Sequence, residues 1–218
     1  MRQRPTRGVR SGINEALEKT LTRERLNKYL IEANQDFDQA LRLYERNTKL
    51  SESFYTPLQC LEVCFRNSLY RVLTNDFNEE WYEGNKVPLS SDSRRMVLDA
   101  RDELIKDRKE ITPGQMVAEL KFAFWVGLLG PHYDATIWRT TLHKAFLAGG
   151  GKPRSVVHGR FNAIRRLRNR IAHHEPIFHR PLEKAHTEII EAISWMCRDT
   201  ANWASHHSRF AAVFAGSE

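Results

Sequence analysis

Three polar side chains near residue 170 have the types and the spacing that RNA cleavage requires. Arg168 is a permanent cation, and Asn169 and His173 are four residues apart, so they lie on the same side of a helix. Cleavage through the RNA 2′-hydroxyl needs a base for that hydroxyl, charge stabilisation at the phosphate and an acid for the leaving 5′-oxygen. A guanidinium and an imidazole in one groove can supply these functions. A basic, solvated helix end with incidental histidines is the alternative interpretation.

The helix that would carry these residues, here called the motif helix, begins at Pro153. Its apolar residues recur at helical spacing and predict a face that packs against other helices. These residues are Phe161, Ile164, Leu167 and Ile171. At about 100° per residue, Arg168 projects within this face, between Ile164 and Ala172. We therefore expect its guanidinium to lose water unless a phosphate or a carboxylate meets it.

Two histidines are predicted at the end of the motif helix. Pro176 biases Glu175 away from the helical conformation, so the helix is expected to end near His174, with His173 also in its last turn. The free carbonyl groups of a last turn favour a protonated imidazole, which can donate a proton.

Positive charge is concentrated around the same segment. The chain of 218 residues has a formal net charge of +7, and residues 151–180 contain eight Lys or Arg against one acidic residue. Such a distribution favours a polyanionic partner such as RNA. Arg165, Arg166 and Arg170 are therefore expected to contact the substrate.

Glu62 has two interpretations. It is four residues from Arg66 on a predicted core helix at 53–74, which favours an ion pair within that helix. Alternatively, Glu62 faces the motif helix and orients Arg168 or His173, as carboxylates orient guanidinium and imidazole groups elsewhere. The spacing leaves both interpretations open.

The string RNRIAHHEPIF at residues 168–178 resembles the R-x4-6-H motif of the HEPN superfamily, in the Abi-like branch that is linked to abortive phage infection. Two further segments, 61–69 and 119–129, resemble the same branch. Together, the three segments extend the resemblance over about residues 51–195.

The resemblance implies an all-helical bundle, usually dimeric, that cleaves RNA without a metal. It puts forward Arg168 and His173 as catalytic residues, with Asn169 beside them, and His174 as the reserve candidate because the motif spacing varies in the superfamily. A homodimer would supply a second histidine for the two proton transfers. The resemblance also implies a phage-defence or toxin effector, with a possible cognate antitoxin. Some HEPN proteins are inactive, so a non-catalytic RNA- or protein-binding module is the alternative function.

No segment alternates with a period of two, which predicts an all-α fold: a HEPN-like helical bundle with additional N-terminal helices. The predicted parts are a basic flexible tail (1–12), an N-terminal helical arm (13–50), the bundle (51–205) and a C-terminal tail (206–218). The arm is either one long helix or two shorter ones with a break near Asp36 and Asp38, and the apolar residues 210–214 of the C-terminal tail are expected to dock loosely. The bundle is expected to contain continuous helices from Pro113 to Leu129, from Asp134 to Gly149 and from Leu182 to about Trp203.

The longest predicted loop, residues 76–93, contains Trp81 and Tyr82. These two rings either stack on RNA bases or anchor the loop to the core.

Other site types are not favoured by the sequence. An odd number of cysteines favours reduced thiols and a cytoplasmic location. No apolar run is long enough to span a membrane. His174 and His179 resemble the HExxH zinc motif, but the second histidine is one residue too far and Pro176 breaks the helix. A zinc set made of Cys60, Cys64 and the two motif histidines lacks paired spacing. No metal and no cofactor are expected.

Overall fold

The computed structural model describes residues 7–216, with side chains from residue 14 onward, and this part of the chain confirms the all-α prediction. It contains eleven α-helices and no β-strand between residues 7 and 216. The helices are α1 (Arg7–Leu21), α2 (Arg23–Glu32), α3 (Phe37–Ser53), α4 (Tyr55–Asp76), α5 (Ser91–Lys106), α6 (Pro113–Glu119), α7 (Phe122–Gly127), α8 (Arg154–Ala172), α9 (Leu182–Ser194), α10 (Arg198–His207) and α11 (Phe210–Ala215).

Helix α4 is the central element of the bundle. Its apolar residues repeat every three or four positions, and Leu61, Phe65 and Leu69 are fully buried. The helix packs against α9 and α10 along much of its length. The ring of Phe65 stacks on Phe161 of α8, with 4.1 Å between ring centroids. The core thereby fixes α8, the motif helix, relative to α4.

The N-terminal arm has a small core of its own, built around Leu26, Tyr29 and Leu30. The predicted break near Asp36 is confirmed, because the Asp36 side chain caps α3 by accepting a hydrogen bond from the Gln39 amide at 2.9 Å. Phe178, which follows the motif helix, packs against this core as well as the main one.

Both predicted tails need correction. Helix α1 begins at Arg7, so residues 7–12 are helical, while residues 1–6 lie outside the described residues. At the other end, Phe210 is buried against Phe54 and His186, with ring centroids 4.9 and 4.7 Å away. Apolar burial of this ring holds α11 on the bundle, so residues 210–214 dock as expected but form a helix within the segment predicted as a tail.

Three predicted continuous helices are interrupted. The helix expected over 113–129 is split because Leu120 has an extended backbone, and its carbonyl accepts a hydrogen bond from the Trp125 indole at 3.2 Å. The segment expected as a helix over 134–149 is a π-helical turn followed by a 3-10 segment. The last long helix breaks at Cys197, whose extended backbone lets its thiol cap α10.

The loop between α4 and α5 is anchored by its aromatic residues. Trp81 and Tyr82 are buried, and Trp81 contacts Phe124 and Trp125 with ring centroids 6.2 and 5.9 Å away. The core-anchoring interpretation is therefore confirmed, and these rings are not a base-stacking platform. None of the helices between residues 7 and 216 is both long and apolar enough to cross a membrane.

Candidate functional site

Helix α8 follows Pro153 as predicted and buries Val157, Phe161, Ile164 and Leu167. The expectation that Arg168 lies inside this apolar face is wrong. Its side chain is 41% exposed, and Ile171, one turn further from the core, is only partly buried. The last turn of α8 extends past the core, so the Arg168 guanidinium keeps contact with water.

The Arg168 side chain meets Glu62 of α4. Its Nε donates a hydrogen bond to Glu62 Oε1 at 2.9 Å. The carboxylate is 28% exposed. This contact matches the interpretation in which Glu62 faces the motif helix. The alternative ion pair between Glu62 and Arg66 does not form in the described part of the chain.

The end of α8 is defined by its backbone hydrogen bonds. The amide of Glu175 donates to the Arg170 carbonyl at 2.8 Å, and the amide of His174 donates to the Ile171 carbonyl at 3.0 Å. His174 has a left-handed backbone with φ of 55°. This combination is a Schellman motif, in which one residue turns the chain away from the helix axis. The two histidines thus lie just beyond the last helical residue instead of within the last turn.

The carbonyl groups at this helix end have a partner in the N-terminal arm. Arg25 of α2 donates to the carbonyl oxygens of His173 and His174, at 3.4 and 3.2 Å. A fixed cation therefore already occupies the position in which a protonated imidazole was expected to be stabilised. The same contact holds the arm against the motif.

A pocket of about 940 Å³ opens between α3, α4 and the end of α8. The acidic and basic residues that line it are Glu52, Glu62, Arg66, Arg168, His174 and Arg209. Arg168, Glu62 and His174 therefore line the same pocket. With three arginines against two glutamates, the lining has a small excess of positive charge.

The other predicted site residues lie outside the pocket lining. His173 and Arg166 are exposed, and Asn169 is half-buried. Arg165 donates to the Asn162 side-chain oxygen at 3.1 and 3.0 Å, and Arg170 pairs with Glu175 at 2.8 Å. The pocket lining therefore includes His174, the reserve candidate, and does not include His173.

Arg66 and Tyr55 are among the pocket residues that sequence reasoning did not assign to a site. Arg66 was interpreted as the ion-pair partner of Glu62, and its spacing gave no signal for any other contact. Tyr55, the first residue of α4, is 69% exposed and was not singled out. Its position at a helix start predicts nothing about a pocket, because the pocket depends on how α3 and α8 pack.

The zinc set that the sequence disfavoured is not assembled among residues 14–216. The structure groups no three His, Cys, Asp or Glu side chains of this range in a way that holds a metal ion. Cys60 and Cys64 instead pack against the core.

No protein family, no curated protein and no solved structure matches the chain. The likeness to the HEPN superfamily therefore rests on residues 61–69, 119–129 and 168–178 alone.

Proposed function

We propose that this protein is a metal-independent endoribonuclease of the HEPN, Abi-like type. One observation carries the proposal: the Arg168 guanidinium is fixed at Nε by Glu62 and lines an open pocket together with His174. Among the described residues, Glu62 is the only hydrogen-bond partner of the Arg168 side chain. Both Nη groups of Arg168 are therefore available to bind a phosphate in the bidentate manner that a guanidinium favours.

The chemistry follows from the groups in the pocket. A histidine takes the proton of the RNA 2′-hydroxyl, and the resulting oxygen attacks the adjacent phosphorus. Arg168 stabilises the additional negative charge of the pentavalent phosphate. The bond to the 5′-oxygen breaks, and that oxygen is protonated as it leaves. The products are a 2′,3′-cyclic phosphate on the upstream fragment and a 5′-hydroxyl on the downstream fragment.

The geometry favours His174 for proton transfer at the phosphate that Arg168 binds. Both imidazoles are exposed, but His174 lines the same pocket as Arg168 and His173 is not part of the lining. One imidazole cannot readily serve both sides of an in-line displacement. A symmetric dimer would bring a histidine of a second copy to the other side of the phosphate, so we propose a homodimer as the active form.

The resemblance to the Abi-like branch supports a biological role as a phage-defence or toxin effector. Such an effector would act on RNA in the cytoplasm and would be opposed by a cognate antitoxin.

A non-catalytic RNA- or protein-binding module is the second candidate function. It is favoured by the contact between Glu62 and Arg168, because the carboxylate offsets part of the positive charge that a transition state would need. The same pocket would then bind its partner without turnover.

Incubation of RNA with the purified protein in excess EDTA tests the proposal. The comparison includes Arg168→Ala, His174→Ala and, as a matched control on an exposed part of α4, Arg71→Ala. Cleavage that persists in EDTA, remains in Arg71→Ala and is lost in the other two variants supports the enzyme. Binding of RNA without cleavage by the unsubstituted protein supports the module, and equal cleavage by all variants contradicts the proposal.

A further inference from the structure

Arg66 is a cation without a partner in the pocket. Its side chain is half-buried, and its Nε is shielded from solvent without a hydrogen-bond partner in the described part of the chain. A buried charged donor that lacks an acceptor destabilises the folded protein, and no described side chain pairs with the Arg66 guanidinium. Glu62, the nearest acidic residue on the same helix, is instead paired with Arg168. Arg66 therefore adds to the pocket lining that contains Arg168 a positive charge that no described side chain pairs with.

The pocket extends along α4 from Arg66 back to Tyr55. These residues are eleven positions apart, which corresponds to about 16 Å along a helix axis. Arg209 lines the pocket as well as a second, smaller one, which also contains Lys49. The lining of this pocket, about as long as several stacked nucleotides, thus contains the cationic side chains Arg66, Arg168 and Arg209 together with Glu52 and Glu62.

The side chains between these ends suit unpaired bases better than a duplex. Tyr55 presents an exposed ring, and Leu58 and Ile171 add apolar surface to the lining. Exposed aromatic rings bind single strands because every base has a face on which a ring can stack. In a double helix these faces are covered by the neighbouring base pairs, so they cannot stack on a protein ring.

We propose that the pocket binds a single-stranded RNA segment, in which Arg66 holds a phosphate beside the one bound by Arg168 and Tyr55 stacks on a base. This inference rests on the proposed function and specifies its substrate class. It makes Arg66 and Tyr55 substrate-binding residues and assigns neither of them a proton transfer.

Fluorescence anisotropy with a labelled, unstructured RNA oligonucleotide tests the inference. All measurements use the full chain with His173→Ala and His174→Ala, so that bound RNA stays intact. In this background, Arg66→Ala is compared with Arg71→Ala on the same helix. We expect Arg66→Ala to weaken binding about tenfold and to lower the slope of log affinity against log salt by about 0.7, whereas Arg71→Ala changes neither. Tyr55→Leu weakens binding about fivefold and Tyr55→Phe preserves it. The same sequence annealed to its complement binds more weakly than the single strand.

Equal affinity for single strand and duplex overturns the inference, as does an Arg66→Ala variant that behaves like Arg71→Ala. The urea midpoint of Arg66→Ala shows whether this variant is folded. If it is unfolded, the comparison of Tyr55→Leu with Tyr55→Phe tests the inference instead. Binding that depends on Arg66 and Tyr55, without cleavage by the unsubstituted protein, contradicts the nuclease but supports this inference. Cleavage in EDTA, together with RNA binding that depends on neither Arg66 nor Tyr55, supports the nuclease but contradicts this inference.

Discussion

Arg168 and Glu62 are 106 residues apart in the sequence, yet Nε of the arginine lies 2.9 Å from Oε1 of the glutamate. The two side chains are 41% and 28% exposed. An ion pair this accessible to water contributes about 0–1 kcal/mol to stability. The contact therefore contributes little to folding, and its main consequence is the fixed orientation of a guanidinium at the wall of the pocket.

Removing the Glu62 carboxylate is expected to impair cleavage much more than stability. Without its Nε contact, Arg168 no longer holds one orientation, so Glu62→Ala should lower the single-turnover cleavage rate by about 10- to 100-fold. The free energy of unfolding should change by less than about 1 kcal/mol. Rapid-quench kinetics and urea unfolding measure the two quantities. Glu103→Ala, which removes an exposed ion pair on α5, is the control, and a Glu62→Ala rate equal to that of this control would refute the positioning role.

The two motif histidines should differ in their effect on the rate. His174→Asn removes the imidazole at a position where asparagine tolerates the left-handed backbone, so the helix end is retained. We expect a loss of about 100-fold or more in cleavage rate, as for a general acid or base. His173→Asn should have a smaller effect, because His173 does not line the pocket. A larger loss for His173→Asn, measured in the same assay, would reverse the assignment.

Stability should decrease in mild acid because of His186. Burial lowers the pKa of His186 below its ordinary value of 6.5, and its Nε2 lies 2.8 Å from the Ser208 hydroxyl. The unfolded chain therefore binds a proton at a higher pH than the folded chain, so this contribution is present above about pH 6.5 and is lost as the pH falls through the folded-state pKa. Urea midpoints at about pH 7, 6 and 5 measure the loss.

The buried histidine can be isolated by substitution. His158 and His179 also have pKa values lowered by burial, so they contribute to the acid sensitivity with the same sign. His186→Gln should therefore flatten the pH profile without abolishing it. Identical pH profiles for His186→Gln and the unsubstituted protein would exclude His186 as a source of the acid sensitivity.

Asn47 should stabilise the chain after the motif helix. This buried side chain accepts hydrogen bonds from the amides of Ile177 and Phe178, at 2.7 and 3.3 Å. Asn47→Ala leaves two backbone amides without an acceptor and should lower the free energy of unfolding by about 1–3 kcal/mol. Urea unfolding measures this cost, with Asn67→Ala at an exposed position of α4 as the control. Equal stability of the two variants would show that water replaces the Asn47 oxygen.

Local patterns correctly predicted several of the helix ends. Thr112 before Pro113 marks the start of α6, and the Thr112 hydroxyl accepts from the Gln115 amide at 3.3 Å. The break at Leu120 was not predictable, because it depends on a hydrogen bond from Trp125 that forms only in the packed structure.

The candidate site was also only partly predictable, because its contacts depend on how the helices pack. The motif residues identified Arg168, but spacing could not decide between Arg66 and Arg168 as the partner of Glu62, because an exposed pair within one helix gains only about 0.3–0.5 kcal/mol. Packing of α4 and α8 made that choice. The position of the His174 side chain depends on the left-handed backbone of His174 itself. The helical period of the sequence does not reveal that conformation.

The central claim is that the RNA 2′-hydroxyl is the nucleophile. The most direct test is cleavage, in excess EDTA, of an oligonucleotide that carries a single 2′-deoxy substitution at a mapped cleavage position, with the products analysed by mass spectrometry. We predict that cleavage stops at that position while binding is retained, and that the all-ribose RNA yields an upstream fragment with a 2′,3′-cyclic phosphate. Undiminished cleavage at the deoxy position, or an upstream fragment with a free 3′-hydroxyl, would contradict the claim.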